Sequence, residues 1–98
     1  MTKADIISDI TKMTNVDKDQ VSSTIEALFV VIKKSMSEGE NIYIRGFGTF
    51  HNKKKAQKIG RIISRNTSVI IPEHYAPKFK PAREFKLKVK TGMMAEKE

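Results

Sequence analysis

Residues Gly46-Phe47-Gly48-Thr49-Phe50 run directly into His51-Asn52-Lys53-Lys54-Lys55-Ala56-Gln57-Lys58-Ile59-Gly60-Arg61-Ile62-Ile63-Ser64-Arg65, and the chain changes character across that join. From His51 to Arg65 there are six Lys/Arg and no Asp or Glu, and up to Lys58 there is no large apolar side chain. A segment without an apolar face cannot bury itself on a core. If it is a strand, it stands in water, and its charge asks for a polyanionic partner. Ile62 and Ile63 then appear at the far end, where an exposed loop should be polar.

On the C-terminal side, Ser64-Arg65-Asn66-Thr67 reads as a turn, with Asn66 suited to positive φ. Val69-Ile70-Ile71-Pro72 returns as a strand, and Lys78-Phe79-Lys80 is a short last one. Pro72, Pro77 and Pro81 restrict this stretch to edge pairing. Residues 82–90 carry two signals. Phe85, Leu87 and Val89 alternate with lysines, which favours a strand, whereas Pro81 ahead of Ala82-Arg83-Glu84 favours a helix start. Residues 91–98 read as a flexible tail.

On the N-terminal side, Thr2-Lys3-Ala4-Asp5 has the form of a capping box, and Ile6, Ile7, Ile10 and Met13 follow at helical spacing, so a helix is expected over about 3–14. Asp17 opens a second, with Gln20 three residues on and Val16 and Val21 placed as a hydrophobic staple. Val21, Ile25, Leu28, Phe29, Ile32 and Met36 mark its apolar stripe, and Gly39 stops it, giving a helix over about 18–38. After Gly39 the period falls to two, so Asn41 to Arg45 is a strand, Gly46 turns the chain, and Thr49 onward is strand again.

The 98 residues bound one domain, and net charge is +8. The charge is uneven. Residues 1–39 hold five basic and six acidic side chains, whereas residues 40–98 hold fourteen and five. The second half is the binding half and the first is scaffold. If residues 52–73 project outward, too little chain remains for a self-sufficient core, and an oligomer is expected. There are no cysteines, which removes disulfides, thiolate catalysis and Cys-ligated zinc. The start lacks the apolar run of a signal peptide and no segment approaches 18 apolar residues, so a cytoplasmic protein is expected.

With these elements in place, the chain resembles the bacterial HU and integration-host-factor DNA-bending proteins. Gly46-Phe47-Gly48-Thr49-Phe50, Gly60-Arg61, Ile71-Pro72 and Phe79-Lys80-Pro81 carry the resemblance, at the family's relative spacing without a gap, and it extends over residues 1–90. It implies an α+β fold, with two N-terminal helices, a three-stranded antiparallel sheet, a long protruding β-ribbon arm over about 52–73 and a short C-terminal helix at 82–90, assembled as an intertwined homodimer or heterodimer. It implies binding and bending of duplex DNA through the minor groove, the mode for which this family is known. There are departures. Where the family has Asn-Pro after Gly-Arg at the arm tip, with the proline as wedge, this chain has Ile62 and Ile63. Asn66 and Ala82 replace usual glycines. Isoleucine is itself among the apolar side chains that enter base steps.

The eleven residues from Lys53 to Ile63 can extend about 36 Å as strand, comparable to one duplex turn of roughly 34–36 Å. Alternation puts Lys53, Lys55 and Arg61 on one side and Lys54 and Lys58 on the other. The DNA-contacting set is therefore Lys53, Lys54, Lys55, Lys58, Arg61, Ile62, Ile63, Ser64, Arg65 and Asn66 on the arm, with Ile63 as wedge. The body contributes Lys3, the Gly46 amide, Lys80, Arg83 and Lys86. Phe29, Phe47, Phe50, Phe79 and Phe85 are assigned to the core and dimer interface. Phosphate contacts position without reading sequence, and few Asn or Gln lie on the arm, so little sequence preference is expected. A site-preferring host factor is the alternative. An RNA-binding module lacks its expected aromatic platform, and no nucleophile–base spacing or phosphate-cradling loop suggests an enzyme. His51 and His74 are isolated, so neither metal nor cofactor is expected.

Overall fold

A computed structural model describes residues 1–62 and 67–97 of the chain. Thr2 caps helix α1 (Lys3–Thr14) through a complete capping box. The Asp5 amide donates to Thr2 Oγ1 at 3.3 Å and the Thr2 amide donates to Asp5 Oδ2 at 2.8 Å. The Thr2 amide foremost, and then the Thr2 hydroxyl, which donates to Asp5 Oδ2 at 3.0 Å, hold the Asp5 carboxyl below its ordinary pKa. Asn15 ends α1 with φ 56°. Helix α2 (Lys18–Ser37) starts at Asp17, whose Oδ2 accepts from the Asp19 amide at 3.2 Å. It ends in a Schellman motif, with Gly39 at φ 90° donating to Met36 O and Glu40 donating to Ser35 O, both at 3.0 Å. The two helices pack together around Ile7 and Val21, and Lys3 is ion-paired with Glu26 across them.

Strand β1 (Ile42–Ile44) is followed by a turn in which Phe47 donates to Ile44 O at 3.0 Å, with Gly46 at φ 80°. Strand β2 (Gly48–Lys55) pairs antiparallel with β1, Ile42 facing Phe50. On its other side β2 pairs with β5 (His74–Pro81), giving a three-stranded sheet of order β1-β2-β5. Because β1 stops opposite Phe50, the sheet narrows to a two-stranded ribbon beyond that residue. Asn52 anchors the root of the ribbon. Its amide donates to Asn41 Oδ1 at 3.3 Å, and its side-chain Nδ2 donates to the Met36 carbonyl at 3.0 Å. The ribbon continues as β3 (Lys58–Ile62) paired with β4 (Thr67–Ile71).

The prolines explain where the ladder breaks. Antiparallel residues alternate between facing their partner with both backbone groups and facing away. Ala82 donates to Phe47 O at 2.8 Å, so even-numbered β5 positions face β2, and Pro77 and Pro81 fall where no N–H is needed. β5 is an edge strand, as the prolines required, but a full eight residues long rather than the short 78–80 expected. Pro72 falls on the even set and has no N–H to give. Pairing stops at Lys55↔His74 and resumes at Lys58↔Ile71 in the same register.

Helix α3 (Arg83–Lys97) resolves the double signal of residues 82–90 in favour of a helix and continues past residue 90 to Lys97. Phe85, Val89 and Met93 recur at four-residue spacing, which carries one helical stripe past residue 90. Gly92 inside it costs about 1 kcal/mol of helix propensity without ending it.

The core is an aromatic cluster under the sheet. Ring centroids are 5.2 Å apart for Phe47–Phe79 and Phe47–Phe85, 4.8 Å for Phe50–Phe79 and 6.1 Å for Phe79–Phe85. Phe29 stands apart from these rings, on α2. Among the described residues only Ile7 (6% exposed) and Val21 (5%) are buried hydrophobics, while Phe47 keeps 44% and Phe79 37% of its surface in contact with solvent. The radius of gyration is 18.9 Å, against about 13 Å for a compact chain of this length.

Candidate nucleic-acid interface

The β2/β5 register sorts the charges. Phe50↔Phe79 lies on the core face, and so do Gly48↔Pro81, Asn52↔Pro77 and Lys54↔Tyr75. The opposite face carries Thr49↔Lys80, His51↔Lys78, Lys53↔Ala76 and Lys55↔His74. The constant register extends the second set to Ile59↔Ile70 on the distal hairpin. The outer face thus holds Lys80, Lys78, Lys53 and Lys55 in a row, with His51 and His74 among them and no carboxylate. Such like charges repel unless an anion lies between them. The Lys55 ammonium registers this, its pKa being lowered chiefly by Lys78, then by slight desolvation, a contact with Lys78, and the more distant Lys53 and Lys58.

Lys80 joins this row to the body. There, Arg45, Lys80, Arg83, Lys86 and the backbone of Gly46 and Gly48 line a groove of about 610 Å³. Gly48 is required for this close fit. A Cβ on it would stand 2.6 Å from the Lys80 carbonyl oxygen and 2.6 Å from the Phe79 ring. The groove brings together four of the body positions expected from sequence, Gly46, Lys80, Arg83 and Lys86.

Other expected positions are placed differently. Lys3 is engaged with Glu26. Lys54 Nζ lies 2.9 Å from Glu73 Oε1 on the core-side face of the ribbon, so its charge is matched within the chain. Lys58 stands on that same face, opposite Ile71, while Lys53 and Lys55 are on the cationic one. The Arg61 and Ile62 backbones belong to β3, opposite Ser68 and Thr67. Ile63, Ser64, Arg65 and Asn66, including the expected wedge, lie outside the described residues.

Sequence reasoning missed Lys78 and Arg45. Lys78 was legible, since Lys78-Phe79-Lys80 alternates about a core phenylalanine and both lysines must share the opposite face. Arg45 sits in the turn between β1 and β2, where no period applies.

Residues 1–90 match the family model described as "Bacterial DNA-binding protein". The chain belongs to the bacterial DNA-binding protein family. It is 33% identical over 90 residues to DNA-binding protein HU of Thermotoga maritima, covering 92% of this chain and 100% of that protein. It is equally 33% identical over 90 residues to integration host factor subunit beta of Colwellia psychrerythraea, covering 91% and 95%. Among solved structures it is similar to the Anabaena HU–DNA cocrystal structure, with TM-score 0.86, 26% identity and coverage of 91% of this chain and 97% of that one. A Thermotoga maritima HU mutant matches with TM-score 0.68 and 27% identity. Family membership thus rests on nearly the whole chain, including the groove and the ribbon.

Proposed function

We propose that this protein is a dimeric architectural DNA-binding protein that grips duplex DNA through the minor groove with two β-arms and bends or compacts it, largely without sequence preference. The carboxylate-free row of Lys80, Lys78, Lys53 and Lys55, running from the body groove onto the ribbon, carries this reading. The likeness to an HU–DNA complex supports the same polyanion. Phosphate neutralisation along the row and in the groove supplies affinity. Beyond the ribbon, Ile63 is the wedge. Unstacking one step costs a few kcal/mol and is offset as bent DNA meets more basic surface. The exposed faces of Phe47, Phe79 and Phe29 are closed by a second chain, identical or related, and the working place is the nucleoid in the cytoplasm. Equal identity to a host-factor subunit supports a second reading, a site-preferring member.

End-to-end FRET on a labelled random-sequence duplex, titrated at several salt concentrations, tests the proposal. Binding with a clear FRET gain is expected, with log K falling by about 0.9 per neutralised phosphate per decade of salt. Ile63→Ala should reduce the gain and keep most of the affinity. A flat salt response, or equal affinity for A-form RNA, counts against the proposal. A much higher affinity for selected than for random duplexes favours the second reading.

A further inference from the structure

The cationic face of the ribbon has an apolar interruption. Ile59 and Ile70 are directly opposed across β3 and β4, and they remain 75% and 68% exposed. Exposed cross-strand pairs of β-branched residues steady a hairpin, but that alone does not call for isoleucine on a water-facing surface. No described residue of the chain covers the pair. The face on which it sits decides its occupant. The register puts Ile59 and Ile70 on the side of Lys53, Lys55 and Lys78, beyond the end of that row. A second copy of the same face would bring like charges together, whereas a polyanion drawn to the lysines is carried onto the isoleucines. A duplex groove offers both surfaces they need, with phosphates along its rims and apolar sugar carbons along its walls. The minor groove is about 6 Å wide, and a ribbon whose two backbones alone lie about 4.8 Å apart is wider than that with its atoms' radii, so on entering it widens the groove and presses against both walls.

We propose that Ile59 and Ile70 form an apolar contact patch against the walls of the DNA groove, giving this protein a share of duplex affinity that does not depend on salt. The patch rests on the proposed function and deepens it. It makes Ile59 and Ile70 binding residues of a different kind from the lysines, because apolar contact releases no counterions. It also separates two quantities usually measured together: the salt slope counts the cations, and the change in high-salt affinity when the pair is replaced reports the patch.

The test uses the full chain with Ile59→Thr and Ile70→Thr together, which keeps β-branching and a favourable cross-strand pair. Fluorescence anisotropy on one random-sequence duplex, at four or more salt concentrations, gives K and its salt slope. The expected result is an affinity about tenfold lower at every salt concentration, with an unchanged slope and an unchanged circular dichroism melt. Lys55→Ala is the contrast, lowering the slope by about 0.9. Equal affinity of the double variant and the parent at all salts overturns the proposal, leaving the pair a hairpin brace. A reduced slope in the double variant overturns it too, since the substitutions then act by misplacing cations. DNA-free assemblies in sedimentation that the double variant abolishes assign the patch to contacts between copies. If the parent chain itself does not bind duplex, the proposed function fails, an outcome separate from all of these.

Discussion

Gly48 shows how one atom's worth of space shapes the interface. The Lys80 carbonyl and the Phe79 ring fill the place where a Cβ would stand, so β2 and β5 come together only because position 48 has no side chain. A backbone carbonyl cannot move aside as a flexible side chain would. Gly48→Ala is therefore expected to destabilise the fold by about 1–3 kcal/mol, read as a lower urea midpoint. It should also weaken duplex binding, because Lys80 and the Gly46 turn flank the same groove. Gly60 lies in a milder setting, its absent Cβ facing the Ile71 side chain at 3.2 Å.

Within the ribbon, charge is divided between two faces. The outer face has uncompensated lysines, while Lys54 on the other is matched by Glu73. An exposed pair of this kind contributes little to stability, but it withholds one cation from an approaching polyanion. Glu73→Gln should release it. The expected outcome is tighter duplex binding at low salt and a log K against log salt slope steeper by up to about 0.9, with little change in thermal stability. An unchanged slope would show that Lys54 faces no phosphate in the complex. Pro72 works at the same scale, ending one ladder and starting the next without shifting register, which leaves Ile59, Ile70 and the lysines on one side.

The molecule as a whole is too open to be self-sufficient. Its accessible surface is 8645 Å², against about 5,700 Å² for a compact monomer of this mass. Two such chains carry an excess of about 6,000 Å² between them, at or above the upper end of what obligate dimers bury in total, and part of it belongs to the ribbon. The half-open phenylalanine cluster and the apolar residues of α2 and α3 are the surfaces to be covered. Unfolding should then depend on protein concentration. Dilution by a factor of ten is expected to lower the melting temperature measurably, and a midpoint that does not move with concentration would argue for a folded monomer.

What is local in this protein was legible in its sequence. The Thr2–Asp5 capping box, the Asp17 cap, the Gly39 stop and the turn at Gly46 each depend on contacts a few residues apart, and each stands where the residues placed it. Alternation along β2 also separated Lys53 and Lys55 from Lys54 correctly, because a strand's period is a property of its own backbone. Tertiary structure decided what depends on partners distant in the chain. Phe85, Leu87 and Val89 carry a strand's alternation, yet α3 is helical, with Phe85 packed on Phe47 and Phe79. Glu73 meets Lys54, and Lys78 meets Lys55, only because β5 returns antiparallel in one particular register. The sequence determined by itself which segments are scaffold and which are basic ribbon. Which cations are left free to meet an anion is set by cross-strand pairing, since a charge's availability depends on its neighbours in space.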